Sequence, residues 1–215
     1  MRACSDTGSF HKGSDLIARV IDYTKARRCR RGGFCFYRFE EPNGSDTYYA
    51  IAIFKILGAS FHDDKTIRYL IEQQNEDGSY KSIFSAYYAL LSLSLIGEHP
   101  AHDPSVYLLE HFNHYRFDAE GLPAEVAAPF KRMLFLIDLC SGLCINIPQN
   151  KKKEIINFVL SFQRADGGFG HGLSSLVETE QAASILRLLD YHPVKDLNIE
   201  EFIKSCETPV SGFSG

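Results

Sequence analysis

Residues 158–170 read Phe-Val-Leu-Ser-Phe-Gln-Arg-Ala-Asp-Gly-Gly-Phe-Gly, and this stretch decides the fold. It opens as the end of an amphipathic helix. Ile155, Phe158, Val159 and Phe162 recur at steps of three and four, so they share one face. It closes as a stop, because glycine after the last apolar residue accepts the left-handed conformation that ends a helix. The aromatic two positions later, Phe169, can plug the gap between neighbouring hairpins. The same order of Gln, Asp at +3, Gly at +4 and an aromatic at +6 returns at Gln74, Asp77, Gly78 and Tyr80. Reduced forms stand at Gly32-Gly33-Phe34, at Gly121-Leu122-Pro123 and at Ser211-Gly212-Phe213. The anchors Phe34, Tyr80, Leu122, Phe169 and Phe213 lie 42 to 47 residues apart. A constant period of this size marks a chain of stacked supersecondary units.

Working outward from the turns, each unit of about 44 residues reads as a helical hairpin. The spacing predicts outer helices before the turns at Asp15–Cys29, Asp63–Gln74, Pro104–Tyr115, Lys151–Phe162 and Asn198–Ser205. Inner helices follow at Asp46–Leu57, Ile83–Ile96, Ala124–Leu143 and Val177–Tyr191, with Asp46 and Glu178 read as the acids that open two of them. Outer helices carry one apolar stripe. Inner ones, such as Tyr-Tyr-Ala-Ile-Ala-Ile-Phe54, are apolar nearly all round and must be buried on most sides. Alternation persists only over Phe34–Phe39, so strands are not expected. The fold class is all-α, with about 4.5 hairpins side by side. Residues 1–14 read as a tail and 15–215 as one helical domain.

Composition narrows the function classes. The 215 residues are 45% hydrophobic and 23% charged, an ordinary globular balance. The net charge of −4 offers no basic excess for nucleic acid. The most apolar run, Ser82–Gly97, is interrupted by serines and too short to span a bilayer. The N-terminus shows no apolar export segment, so a cytoplasmic location with six reduced cysteines is the expectation.

The stretches Phe158–Gly170 and Gly44-Ser-Asp-Thr-Tyr-Tyr-Ala-Ile51 resemble the repeat of protein prenyltransferase β-subunits and squalene-type terpenoid cyclases. The resemblance runs from about Asp15 to Gly215 and implies an α/α toroid whose inner helices line an apolar central cavity. It places isoprenoid chemistry at the rim formed by the inner-helix N-termini. Cyclase repeats usually carry Trp at the turn, whereas this chain has Phe and Tyr and no Trp, which looks more like the prenyltransferase branch. The family ring holds six hairpins, so an open or incomplete ring is expected here, covered by a partner or a second copy.

The family's catalytic sets are missing at the matching positions. Prenyltransferases bind zinc with an Asp-x-Cys at one inner-helix start and a His at another. The matching pairs here are Glu178 with Glu180 and Asp46 with Tyr48, and the His position reads Ser85, so no metal site or cofactor is expected. Asp138-Leu-Cys140 has the right letters but lies inside an inner helix. The protonating cyclases' Asp-x-Asp-Asp-Thr corresponds to Asn43–Thr47 and Ser175–Thr179, where only the last acid survives. Phe61-His62-Asp63-Asp64 is closer in letters but starts an outer helix. A diphosphate needs convergent cations, and Arg38 is the match offered after the first turn.

Remaining features have plainer readings. Arg27, Arg28, Arg30 and Arg31 read as a solvated helix end, and Cys140 with Cys144 as small buried thiols on one helix face. His111 and His114 read as surface residues, and the Tyr48-Tyr49 and Tyr87-Tyr88 pairs as inner-wall packing. The reading is a prenyltransferase- or terpenoid-cyclase-like protein taking an apolar isoprenoid-type ligand. Its rim acids would be Asp46, Glu178 and Glu180, its wall contacts Tyr48, Tyr49, Tyr87 and Tyr88, and its anion contact Arg38. The alternative is a non-catalytic helical-repeat scaffold for a protein partner or for self-association.

Overall fold

The structure, a computed structural model, describes residues 8–37, 41–114, 129–191, 197–208 and 212. Among these residues there are nine α-helices and no strand: α1 (Gly8–Lys25), α2 (Gly44–Ile56), α3 (Asp64–Ile71), α4 (Ile83–Ile96), α5 (Ser105–Asn113), α6 (Pro129–Gly142), α7 (Gln149–Leu160), α8 (Leu176–Leu188) and α9 (Ile199–Ser205). The all-α expectation holds. Most helix bounds fall within a few residues of those predicted, with α1 an exception that begins at Gly8 rather than Asp15. The anchors Leu122 and Phe213 and the candidate Arg38 lie outside the described residues.

The chain forms two compact units, residues 1–104 and 105–215. In the first, the inner helices α2 and α4 pack along each other, with α1 against α2 and α3 against α4. In the second, α6 and α8 pair in the same way, with α5 against α6 and α7 against α8. Burial follows the predicted division of labour. Outer helices bury one stripe each, as with Thr66 and Leu70 of α3 or Ile155 and Val159 of α7. The inner helix α4 buries Ile83, Ala86, Ala89, Leu90, Ser92 and Leu93, and α6 is closed off over Phe130, Met133, Leu136, Ile137 and Cys140.

Besides the packing of inner helices, polar bonds from the turns join one hairpin to the next. The side chain of Gln74 donates to the His102 carbonyl at 2.9 Å and accepts from the His102 amide at 2.9 Å. Gln163 donates to the Leu197 carbonyl, just ahead of α9, at 3.0 Å. In the first turn Arg28 stands at the same register, six residues before the anchor. Its guanidinium forks onto the carboxylate of Asp63, the residue ahead of α3, with Nε at 2.7 Å from Oδ2. Partial burial alone would raise the Asp63 pKa, but hydrogen bonds from Arg28 and Thr66 outweigh it and hold the carboxyl below its usual range. Arg28, Arg30 and Arg31 are exposed as expected, with Arg28 also clamped to Asp63, and Arg27 lies over the Tyr23 ring at 4.5 Å. Turn glycines also press on the backbone ahead: a Cβ on Gly78 would sit 2.6 Å from the Asp103 carbonyl oxygen.

Threonines fasten the anchors to their own inner helices. Thr47 Oγ1 accepts from the Phe34 amide at 2.9 Å and donates to the Asn43 carbonyl at 2.7 Å, and Thr179 Oγ1 accepts from Phe169 at 2.9 Å. Phe34 then packs on Phe54 and Phe61, with ring centroids 6.0 and 5.7 Å away. Thr47→Val keeps the shape but strands the buried Phe34 amide. An orphaned buried donor costs about 1–3 kcal/mol, so chemical denaturation should show a loss of about 2 kcal/mol. Thr47→Ser should restore most of it.

Candidate functional site

Four tyrosines meet at the N-terminal ends of α2 and α4. Neighbouring ring centroids stand 5.3 Å apart for Tyr48–Tyr49, 5.9 Å for Tyr48–Tyr88, 6.3 Å for Tyr49–Tyr88 and 5.6 Å for Tyr87–Tyr88. All the pairs are tilted or edge-on, the geometry that aromatic quadrupoles prefer. The repeat explains the meeting. Tyr49 and Tyr88 each fall six residues after a helix cap, Asn43 and Ser82, and the α2–α4 packing sets equal registers side by side. Tyr49 keeps 53% of its surface exposed, whereas Tyr88 is half-buried. Burial, then Tyr49 and Tyr48 beside it, push the Tyr88 hydroxyl up to about 12. Part of that rise comes from a side-chain hydrogen bond with Tyr49. The cluster presents an aromatic, partly open surface.

Both acids expected to open inner helices are placed otherwise. The caps are Asn43, whose side chain accepts from the amides of Ser45 and Asp46, and Ser175, whose hydroxyl accepts from the Glu178 amide. Asp46 and Glu178 sit three residues further in and reach back to the turn. Asp46 Oδ2 accepts from the Phe36 amide at 3.1 Å, and Glu178 Oε1 accepts from the His171 amide at 3.3 Å. Phe36 and His171 each lie two residues past an anchor, so both acids tie a turn to its own inner helix. Glu178 Oε2 also accepts from the Ser175 hydroxyl at 3.0 Å. Glu180 is exposed and accepts from the Ser184 hydroxyl at 3.0 Å.

These placements divide the expected set. Tyr48, Tyr49, Tyr87 and Tyr88 come together, and Asp46 shares the first turns of α2 with two of them. Glu178 and Glu180 belong to the second unit. There Gln181 occupies the register of Tyr49 and Tyr88, is 7% exposed, and has an Oε1 with no hydrogen-bond partner. Sequence reasoning missed Tyr69 of α3, whose hydroxyl donates to the Pro42 carbonyl at 3.4 Å. Burial, with Cys29 and Asp46 nearby, pushes Tyr69 up to about 12. His111, read from the sequence as a surface residue, is instead half-buried, edge-on to Tyr107 at 4.6 Å with Arg132 3.4 Å from its Nδ1. Pro42 lies in the loop ahead of α2 and Arg132 in α6, and no local spacing announces either contact.

The profile of the prenyltransferase alpha-alpha toroid domain matches residues 4–82 and 110–215. The chain belongs to this family. No curated protein matches it. Membership fits the all-α hairpin repeat, and the toroid fold brings the question of the family's zinc. The donor set does not suit that metal. Asp46 and Tyr48 at one position, Ser85 at another and Glu178 with Glu180 at a third supply hydroxyls and carboxylates but no thiolate or imidazole. Asp46 and Glu178 are already held by backbone amides. Among the described residues no three His, Cys, Asp or Glu side chains stand close enough to share a metal. Cys140 is fully buried in α6 and burial pushes its thiol up to about 12, leaving little of the reactive thiolate form. Cys144 does not share its helix face, because it follows the helix end in a left-handed turn and is exposed. No described helix of this toroid chain is long and apolar enough to cross a membrane.

Proposed function

We propose that this member of the toroid family binds an apolar, isoprenoid-type chain, with the tyrosine cluster at the heads of α2 and α4 as its wall. The observation that carries the reading is the cluster itself. Four touching aromatic side chains on paired inner helices, one of them more than half exposed, expose apolar surface that a soluble domain normally covers. Polyprenyl chains are flexible and apolar, and tilted rings give them a broad contact without needing charge. Asp46 and Glu178 act in this reading by holding the turns, so no catalytic step is assigned to them.

The test is titration of the full chain with a fluorescent farnesyl analogue that carries no diphosphate. Saturable binding is expected, with Tyr49→Ala and Tyr88→Ala each weakening it about tenfold, the scale of losing one aromatic contact from an apolar site. Tyr88→Phe should stay within about threefold, because it keeps the ring and loses one weak neutral hydrogen bond. Binding indifferent to both alanine changes would refute the assignment.

A second reading, a scaffold for a protein partner or a second copy, rests on Leu173 and Val177. They lie four residues apart, Leu173 in the loop ahead of α8 and Val177 in its first turn, and are 88% and 64% exposed. Concentration-dependent dimerisation abolished by Val177→Glu would favour it.

A further inference from the structure

A pocket of about 260 Å³ opens between the end of α1, the first turn and the segment joining α2 to α3. Its floor is aromatic. Phe54 and Phe61 stack at 5.1 Å with their planes 4° apart, Phe34 leans on both, and Phe61 is half-buried. Its rim carries Lys25, Arg28, His62 and Asp63. Arg28 and Asp63 cancel each other through their forked pair. His62 faces the Asp64 carboxylate at 3.1 Å. Lys25, on the last turn of α1, has no carboxylate partner among the described residues. A lysine with no carboxylate partner among the described residues therefore lines a pocket whose floor is aromatic.

We propose that this pocket binds a small monoanion with a flat apolar body, of the arylcarboxylate class. The ring would lie against Phe61, and the carboxylate would take the Lys25 ammonium as a charge-assisted partner. A dianion would leave one charge unmatched, and a cation would meet the Lys25 ammonium. The site shares no residue with the tyrosine cluster, so the two proposals stand or fall separately.

The experiment is a fluorescence titration of the full chain with 2-naphthoate, with uncharged 2-naphthylmethanol alongside. One saturable site is expected. Lys25→Met, an exposed position that leaves helix content unchanged by circular dichroism, should weaken naphthoate about tenfold, the scale of one hydrogen bond to a charged group. The same change should leave naphthylmethanol unaffected. Phe61→Leu should weaken both, and Tyr88→Ala neither. No saturable naphthoate binding up to its solubility limit, or equal naphthoate affinity with and without the Lys25 ammonium, would overturn the proposal.

Discussion

Gly167→Ala should lower the unfolding free energy by about 3 kcal/mol or more, whereas Gly97→Ala should cost about 1 kcal/mol. Both glycines hold left-handed backbone, with φ of 86° and 78°. Conformation alone charges any other residue about 1–2 kcal/mol at either place, so the two differ only in what surrounds them. A Cβ on Gly97 meets nothing within 4 Å. A Cβ on Gly167 would sit 2.4 Å from the Asn198 carbonyl oxygen and 2.8 Å from its carbon. Those are backbone atoms at the cap of α9, and they cannot swing aside as a side chain can. Insertion would push the turn off the next helix and strain the Gln163 bond to Leu197 that runs beside it. Chemical denaturation of the two variants is the check, and equal losses would show that the turn does not press on α9.

Phe169→Ala should cost about 3–5 kcal/mol, the range for emptying a large buried aromatic site. Phe169 is fully buried, and its backbone is held on both sides. Its amide donates to Thr179 Oγ1 at 2.9 Å, and its carbonyl accepts from Ser175 at 3.1 Å. The surrounding turn therefore cannot collapse easily into the cavity. Phe169→Leu keeps much of the volume and should lose only about 1–2 kcal/mol. A small loss for the alanine variant would mean that the anchor is not the plug between helices that the repeat implies.

The sequence announced most clearly those parts whose signal is local. The α4 bounds were legible because Ser82 caps one end and Gly97 closes the other with its left-handed turn. The anchors were legible because a glycine–aromatic step recurs at near-constant spacing. The inner-helix caps were misread for a physical reason. Asp46 and Glu178 are the charged residues at those starts, but Asn43 and Ser175 have the backbone angles and the short side chains that caps require. Once the cap is placed correctly, each acid falls on the first turn facing the incoming loop.

Bonds between repeats were illegible. Gln74 and Gln163 reach backbone groups of His102 and Leu197, and a backbone partner leaves no mark in the residue code. Arg28 did have a marked partner in Asp63, 35 residues away, but in one sequence it looks like any arginine in a basic run. The tyrosine pairs were expected as wall packing, and the geometry adds that both pairs belong to one cluster. Nothing in either pair alone fixes that α2 and α4 set them at matching heights. The acids assigned to the rim carry the clearest lesson about function. Family alignment selects positions, and hydrogen bonding then shows what occupies each carboxylate.

The tyrosine cluster as an apolar binding wall is the central proposal. Native mass spectrometry of the full chain titrated with all-trans farnesol tests this most directly. The predicted result is a single saturable adduct per chain, reduced about tenfold in affinity by Tyr88→Ala and retained by Tyr88→Phe. A chain that takes up no farnesol at any soluble concentration, or one whose adduct is untouched by Tyr88→Ala, would contradict it.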